Sequence, residues 1–320
     1  VIITVTLNPS LDRTLPITAL VRGAVLRTGR PILEPGGKGV NVSRALRANG
    51  IDSTALLPIA GAEGDELRRL LDAAGVQARY VPTTGRTRSN ISLTEPDGTV
   101  TKLNEPGASL TTADLEELES ALAALVSPGD WVVFSGSLPP GMTGDVFSAL
   151  LQRLSVCGIQ LAIDSSGIAL ASSIAARPHL VKPNRAELAE LVGHPVNSIA
   201  EVIVAAEQVR NSGAGAVLVS LGADGAVFVG AAGVAEAIVG ESTVPSPVSA
   251  VGAGDCFLAG FLSRFSKDEG DVESAVLEAL AWGAAAVALP GTAMPQPRDI
   301  DYTNVQLAGN PQLDRPLLAN

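Results

Sequence analysis

Residues 251–261 read Val251-Gly252-Ala253-Gly254-Asp255-Cys256-Phe257-Leu258-Ala259-Gly260-Phe261, and this stretch decides how the rest of the chain is understood. Phe257, Leu258, Phe261, Leu262 and Phe265 fall on one helical face, so a helix opens directly after the glycines and buries that face. The free N–H groups of its first turn point out of the glycine turn, where they attract an anion and would stabilise charge developing on a transferring phosphate. A carboxylate in that place is odd if the site only binds anions. Asp255 makes sense as a base that takes a proton from a hydroxyl attacking the phosphate. A helix cap following a loop is the plainer alternative.

Outward from this segment, apolar runs alternate with longer amphipathic ones. Ile2 to Leu7, Trp131 to Phe134, Leu161 to Ile163, Leu180 to Val181 and Ala216 to Val219 read as buried strands. Val40 to Ala48, Gly64 to Ala74, Ala113 to Val126, Asp145 to Val156 and Ile199 to Val209 read as helices. The alternation predicts an α/β fold, a mostly parallel sheet with helices on both faces. Residues 13–35 and 86–104 break the rhythm. The second reads as two short strands around a turn at Pro96, Asp97 and Gly98. Both are expected to form a small sheet standing off a discontinuous core of 1–12, 36–85 and 105–320, with the tail from Asn310 as coil.

The chain has 320 residues, 46% of them hydrophobic and 17% charged, enough apolar material for a large core. The longest apolar stretch, Ala279 to Leu289, is too short to span a bilayer, and the opening VIITVTLNP lacks a basic leader, so no membrane passage is expected. Cys157 and Cys256 are too few for a disulfide framework and read as buried thiols, which suits a reducing cytoplasm. The net charge of −11 argues against a nucleic-acid surface. Anionic ligands must be met locally, and three of the four lysines (Lys38, Lys102 and Lys182, but not Lys267) lie in or beside the motifs. His179 and His194 offer neither a triad nor a zinc site.

A second glycine-rich segment, Gly36-Gly37-Lys38-Gly39-Val40-Asn41-Val42-Ser43, opens another helix, with Lys38 and Asn41 able to donate to hydroxyl or phosphate oxygens. It fails the dinucleotide fingerprint at Val42 and the P-loop pattern at Gly39, and a plain helix start is the alternative. Asn184 and Glu187 follow the strand ending in Val181-Lys182-Pro183. They form either a capping box or a hold on a hydrated Mg²⁺ that bridges nucleotide phosphates. Ser220 to Ala226 by itself reads as a hairpin turn, and Arg86, Arg88 and Asn90 as solvated strand residues.

Taken together and in this order, GGKGVNVS (36–43), DSSGIAL (164–170), KPNRAE (182–187), SLGADGA (220–226) and VGAGDCFLAGF (251–261) resemble the PfkB, or ribokinase-like, family of carbohydrate kinases. Within it, LNPSLD (7–12), TRSN (87–90), KLNEPG (102–107) and SGSLPPG (135–141) resemble the branch acting on hexose phosphates, most of all the 1-phosphofructokinases. The resemblance implies a Rossmann-like domain with a β-sheet lid that clasps a second subunit as a homodimer, and ATP with Mg²⁺. It implies Asp255 as base with Gly252, Ala253 and Gly254 as anion hole. Asp12, Gly37, Asn41 and Arg88 would line the sugar site, with Lys38, Arg88 and Ser137 near the substrate phosphate. Lys182, Asn184, Glu187, Ser220, Gly222 and Gly225 match the nucleotide side, with Val248 and Ala281 near the adenine. One departure stands out: some relatives carry two basic residues in the first lid segment, whereas here Arg27 is accompanied by Val25.

Three functions compete. A kinase converting fructose 1-phosphate to fructose 1,6-bisphosphate leads, with 6-phosphofructokinase or tagatose-6-phosphate kinase as its variants. A sugar-phosphate sensor would not need Asp255. A nicotinamide-dependent oxidoreductase lacks its fingerprint.

Overall fold

The computed structural model describes residues 1–309 and 311–318. In chain order they form β1 (Ile2–Val5), β2 (Ser10–Pro16), β3 (Ile32–Gly36), α1 (Lys38–Ala48), β4 (Ser53–Ile59), α2 (Gly61–Ala73), β5 (Gln77–Pro82), β6 (Arg88–Thr94), β7 (Val100–Asn104) and α3 (Thr112–Ala123). There follow β8 (Trp131–Ser135), α4 (Gly144–Ser155), β9 (Gln160–Asp164), α5 (Gly167–Ser173), β10 (Leu180–Val181), α6 (Arg185–Val192) and α7 (Ile199–Asn211). The remainder comprises β11 (Ala216–Ser220), β12 (Ala226–Val229), β13 (Ile238–Ser242), α8 (Ala253–Phe265), α9 (Val272–Val287) and β14 (Val305–Leu307).

The large sheet has ten strands in the order β14-β13-β12-β11-β10-β9-β8-β1-β4-β5. From β5 to β11 every pairing is parallel; β12, β13 and β14 extend it antiparallel. Successive residues of a strand point to opposite faces, so each strand feeds two cores. Val132 and Phe134 of β8 join the core under α3, α4 and α7, while Trp131 and Val133 join the one under α1, α8 and α9. This burial on both faces is why the parallel strands read as continuous apolar runs. The expected α/β fold is therefore present, with an antiparallel extension that the sequence pattern did not announce.

A separate sheet of four strands runs β3-β2-β6-β7. Its turn at Pro96, Asp97 and Gly98 is closed by Glu95 N donating to Thr99 O and Gly98 N donating to Glu95 O. Register places Leu33, Arg13, Ile91 and Leu103 in one row, and Glu34, Asp12, Asn90 and Asn104 in the next. Adjacent rows point to opposite faces, so this sheet has a largely apolar side, on which Arg13 stands among Leu33, Ile91 and Leu103, and a polar side that carries Asp12.

Of the two cysteines, Cys256 is buried as expected, but Cys157 is exposed. It lies beyond the end of α4 beside Val156, itself 84% exposed, where the apolar pattern has already left the core. No helix among the described residues is long and apolar enough to cross a membrane.

Candidate active site

The motifs converge at the carboxyl ends of the parallel strands, where doubly wound sheets gather their ligands. Asp164 closes β9, Lys182 and Asn184 follow β10, Ser220 closes β11, and the loop after β1 leads to β2 of the small sheet. Two helices start there as well. Gly37 caps α1 with a φ of +114°, and a Cβ on it would lie 2.7 Å from Thr6 Cγ2, so only glycine fits. Gly252 caps α8 in the left-handed region, at a φ of +78°.

In the first turn of α8, Ala253 N donates to Ala250 O and Asp255 N to Gly252 O. Among the described residues the N–H groups of Gly252 and Gly254 have no protein acceptor. Of the three residues expected to form an anion hole, two thus keep a free donor, and Ala253 does not. Asp255 is 6% exposed. Its Oδ2 accepts a hydrogen bond from Asn41 Nδ2 at 2.8 Å, and Arg44 Nη1 donates to Asn41 Oδ1 at 3.1 Å, which fixes the amide toward the carboxylate. Burial, reinforced by the charge of Asp164, pushes the Asp255 carboxyl up to about 7, against the pull of Asn41, Lys38 and Lys182. A carboxylate so tuned can accept a proton near neutral pH.

Asp164, in the DSSGIAL segment, has no role that the sequence alone assigns, yet it is central to the structure. Wholly buried, it accepts from Lys38 Nζ at 2.9 Å and lies 3.3 Å from Lys182 Nζ, both on Oδ1, while its Oδ2 has no partner among the described residues. The two ammonium groups hold its carboxyl below the ordinary range against the opposing effect of burial. The readable signal was an acidic residue at the end of the buried run Leu161–Ile163, where an apolar side chain is the rule. Asp164 also draws Lys38 away from its expected company. Arg88 and Ser137 do meet, through Asn8, whose carbonyl accepts from Arg88 Nε at 3.2 Å and whose Nδ2 lies 3.4 Å from Ser137 Oγ. The Lys38 ammonium instead lies between Asp164 and Glu187, held by two carboxylates, one of them wholly buried.

On the small sheet, Asp12 Oδ1 accepts from Ser10 Oγ at 2.7 Å and Asn90 Nδ2 at 3.0 Å. Burial raises its pKa, opposed by those hydrogen bonds and by the charge of Arg88. A Cβ on Gly36 would lie 2.3 Å from its Oδ1. The same side therefore presents a carboxylate, an amide and a guanidinium. Arg88 also donates to Glu105 O, and a cavity of about 460 Å³ is lined by Arg86, Arg88, Glu105, Gly107 and Ser109, among others.

On the other side, Asn184 and Glu187 form the capping box of α6: Glu187 N donates to Asn184 Oδ1, and Asn184 N donates to Glu187 Oε2. Glu187 Oε1 remains, 3.8 Å from Lys38 Nζ. Among the described residues no group of three or more acidic, histidine or cysteine side chains could cage a metal ion. Asn184 pairs with Ser220 across an isolated parallel bridge, and Gly222 and Gly225 both take positive φ, a Cβ on Gly225 falling 2.1 Å from Gly240 O. Val248 is exposed, its N donating to Val287 O at the end of α9. Ala281, by contrast, is 1% exposed, on α9 within the core that α8 also enters.

A buried carboxylate, a helix start with free donors, and lysines on a shared carboxylate suit transfer of a phosphoryl group to a hydroxyl. Comparison with known proteins agrees. Residues 6–299 match the model of the pfkB family of carbohydrate kinases. The chain is 36% identical to a 1-phosphofructokinase of Rhodobacter capsulatus, covering 92% of this chain and 93% of that one. It is 35% identical to the ATP-dependent 6-phosphofructokinase isozyme 2 of Escherichia coli, covering 91% and 94%. The crystal structure of phosphofructokinase-2 from Escherichia coli in complex with substrates and products superposes with a TM-score of 0.87 at 34% identity, over 93% of this chain and 96% of that one. The chain thus belongs to the pfkB family of carbohydrate kinases, phosphotransferases that take ATP as co-substrate and an alcohol as acceptor.

Proposed function

We propose that this protein phosphorylates fructose 1-phosphate on its 6-hydroxyl to give fructose 1,6-bisphosphate. The observation that carries the reading is the placement of Asp255, buried against Asn41 and one turn from the free N–H groups of Gly252 and Gly254. Asp255 takes the proton of the attacking hydroxyl, and the N–H groups receive the charge that gathers on the transferring phosphoryl oxygens. Asp12 and Asn41 orient the sugar, while Arg88 and Ser137, at the far side of the cleft, receive the phosphate already on it. Lys182, Ser220, Gly222 and Gly225 take the nucleotide, with Val248 at the base. Lys38, held between Asp164 and Glu187, lies at the boundary of the two substrates.

Mg²⁺ bound to the nucleotide would supply charge neutralisation and a template for the phosphate oxygens. The unpartnered Asp164 Oδ2 and the outward Glu187 Oε1 fit such an ion through its waters, and Asn184, engaged as a cap, orients Glu187. The small sheet acts as a lid over the sugar. Its apolar row of Leu33, Ile91 and Leu103 supports a dimer formed through this face. On this reading the core and lid divide at 13–35 and 86–104, with Asp12 on the lid's side because β2 begins at Ser10.

The curated relatives named as 1-phosphofructokinases support the choice of substrate. The test is an ADP-release assay with fructose 1-phosphate, fructose 6-phosphate and tagatose 6-phosphate. Selectivity among them rests on one or two ring hydrogen bonds, so kcat/KM for fructose 1-phosphate is expected to lead by at least about tenfold. A higher value for either 6-phosphate overturns the substrate and leaves the kinase.

A further inference from the structure

The C-terminal coil is docked along the nucleotide side of the molecule. Leu313 O accepts from Ala200 N, Leu317 N donates to Asn197 O, and Pro316 bridges Ser198. Leu317 is buried in the same core as Leu188, Val196 and Leu221. The decisive contact is with Asp224, in the turn between β11 and β12. Gly222 and Ala223 of that turn face outward, while Asp224 points inward and is 5% exposed. Among the described residues, both hydrogen bonds to its carboxylate come from the tail: Arg315 Nη1 donates to Oδ1 at 2.5 Å and Leu318 N donates to Oδ2 at 2.7 Å. The Leu318 carbonyl in turn accepts from Arg185 Nη1 at 2.6 Å. Arg185 is the first residue of α6, next to Asn184, and its Nε donates to Val196 O at 2.7 Å.

One residue of the tail, Leu318, therefore joins the two segments that flank the nucleotide side, the turn at 222–225 and the start of α6. Without the tail, Asp224 would be a buried carboxylate with no partner, a state costly enough to force the turn into another conformation. We propose that residues 311–318 form a strap that sets the nucleotide-binding turn from behind, with Arg315 and Asp224 as positioning residues that never touch the nucleotide. This rests on the assignment of Ser220, Gly222 and Gly225 to the nucleotide.

The test uses the full chain with Arg315→Ala, Arg315→Lys and Gly222→Asp, each assayed over MgATP and over the sugar phosphate. Arg315 is 33% exposed in its side chain, so its truncation spares the core. Arg315→Ala is expected to raise KM for MgATP by about tenfold while KM for the sugar phosphate and kcat at saturating nucleotide stay within about twofold. Arg315→Lys, which keeps the charge, recovers part of the loss. Gly222→Asp adds a carboxylate where a Cβ meets nothing within 4 Å, at a φ of +59° that aspartate enters more readily than most residues, and it separates the two ideas. If it raises KM for MgATP and Arg315→Ala does not, the strap is wrong and the nucleotide assignment stands. If Gly222→Asp is inert toward MgATP, the assignment fails and the strap with it. Equal losses toward both substrates in Arg315→Ala also overturn the proposal, since that is what a merely structural contact would do.

Discussion

Asp255 combines two demands that oppose each other. Its burial and the neighbouring charge of Asp164 lift the carboxyl from 3.8 to about 7, which suits a base but burdens the fold. A base must be ionised to accept a proton, so kcat is expected to climb as pH rises through about 7 and to level above it. The stability effect runs the other way. Between 3.8 and about 7 the folded state keeps a proton that the unfolded chain has released, so this group's contribution is full below 3.8 and is lost as pH rises through about 7. Asp255→Asn should therefore lower kcat by ~10² to 10⁴, about 3 to 5 kcal/mol of barrier, while melting at or above the wild-type temperature at pH 8. Near wild-type turnover would remove Asp255 from the mechanism. Arg88 is proposed for a different kind of contribution. A guanidinium fork can bind two phosphate oxygens where a lysine makes a point contact, so in that role Arg88→Ala is expected to raise KM for the sugar phosphate at least about tenfold and to leave KM for ATP nearly unchanged. Equal effects on both would mean that its hydrogen bonds to the Asn8 and Glu105 carbonyls merely hold the lid together.

At the scale of elements, the site depends on how closely α8 lies on α9. Gly260 permits that approach: a Cβ there would stand 2.7 Å from Glu278 O and 2.9 Å from Trp282 Cγ. Alanine gains up to about 1 kcal/mol of helix propensity, whereas overpacking against a backbone carbonyl costs about 1 to 3 kcal/mol. The second term wins. Gly260→Ala should lower the melting temperature and, because α8 carries Asp255, also lower kcat; an unchanged melting curve would show that the helices can part freely. The same elements show what was legible beforehand. The parallel strands announced themselves as apolar runs, and β6 and β7 as alternating runs around Pro96, Asp97 and Gly98. By contrast, β13 (Ile-Val-Gly-Glu-Ser) and the edge strand β14 (Val-Gln-Leu) are short and have no period, defined only by the neighbours they pair with. The site was legible where a glycine and a polar residue stand together, as at Gly37 and Asp255. It was not legible at Asp164, whose importance lies in two lysines that approach from 126 residues upstream and 18 downstream.

For the whole molecule, the apolar side of the small sheet has to be covered or tolerated. Leu103 is 53% exposed there, in the same row as Leu33 and Ile91. If two copies clasp through this face, Leu103→Asp should shift the sedimentation of the protein from dimer to monomer without changing its melting behaviour. A wild-type chain that sediments as a monomer would sink the clasp. Electrostatics also acts at this scale. The chain carries a net charge of −11, yet its ligands are anions. Lys38 and Lys182 reach the cleft already satisfied by Asp164. An incoming phosphate therefore does not meet bare positive charge but displaces an internal counterion, as one anion replaces another on an exchange resin. Such an exchange has little reach beyond contact, so the long-range field is the repulsion of the net charge, and added salt, by screening it, should speed capture of the substrates.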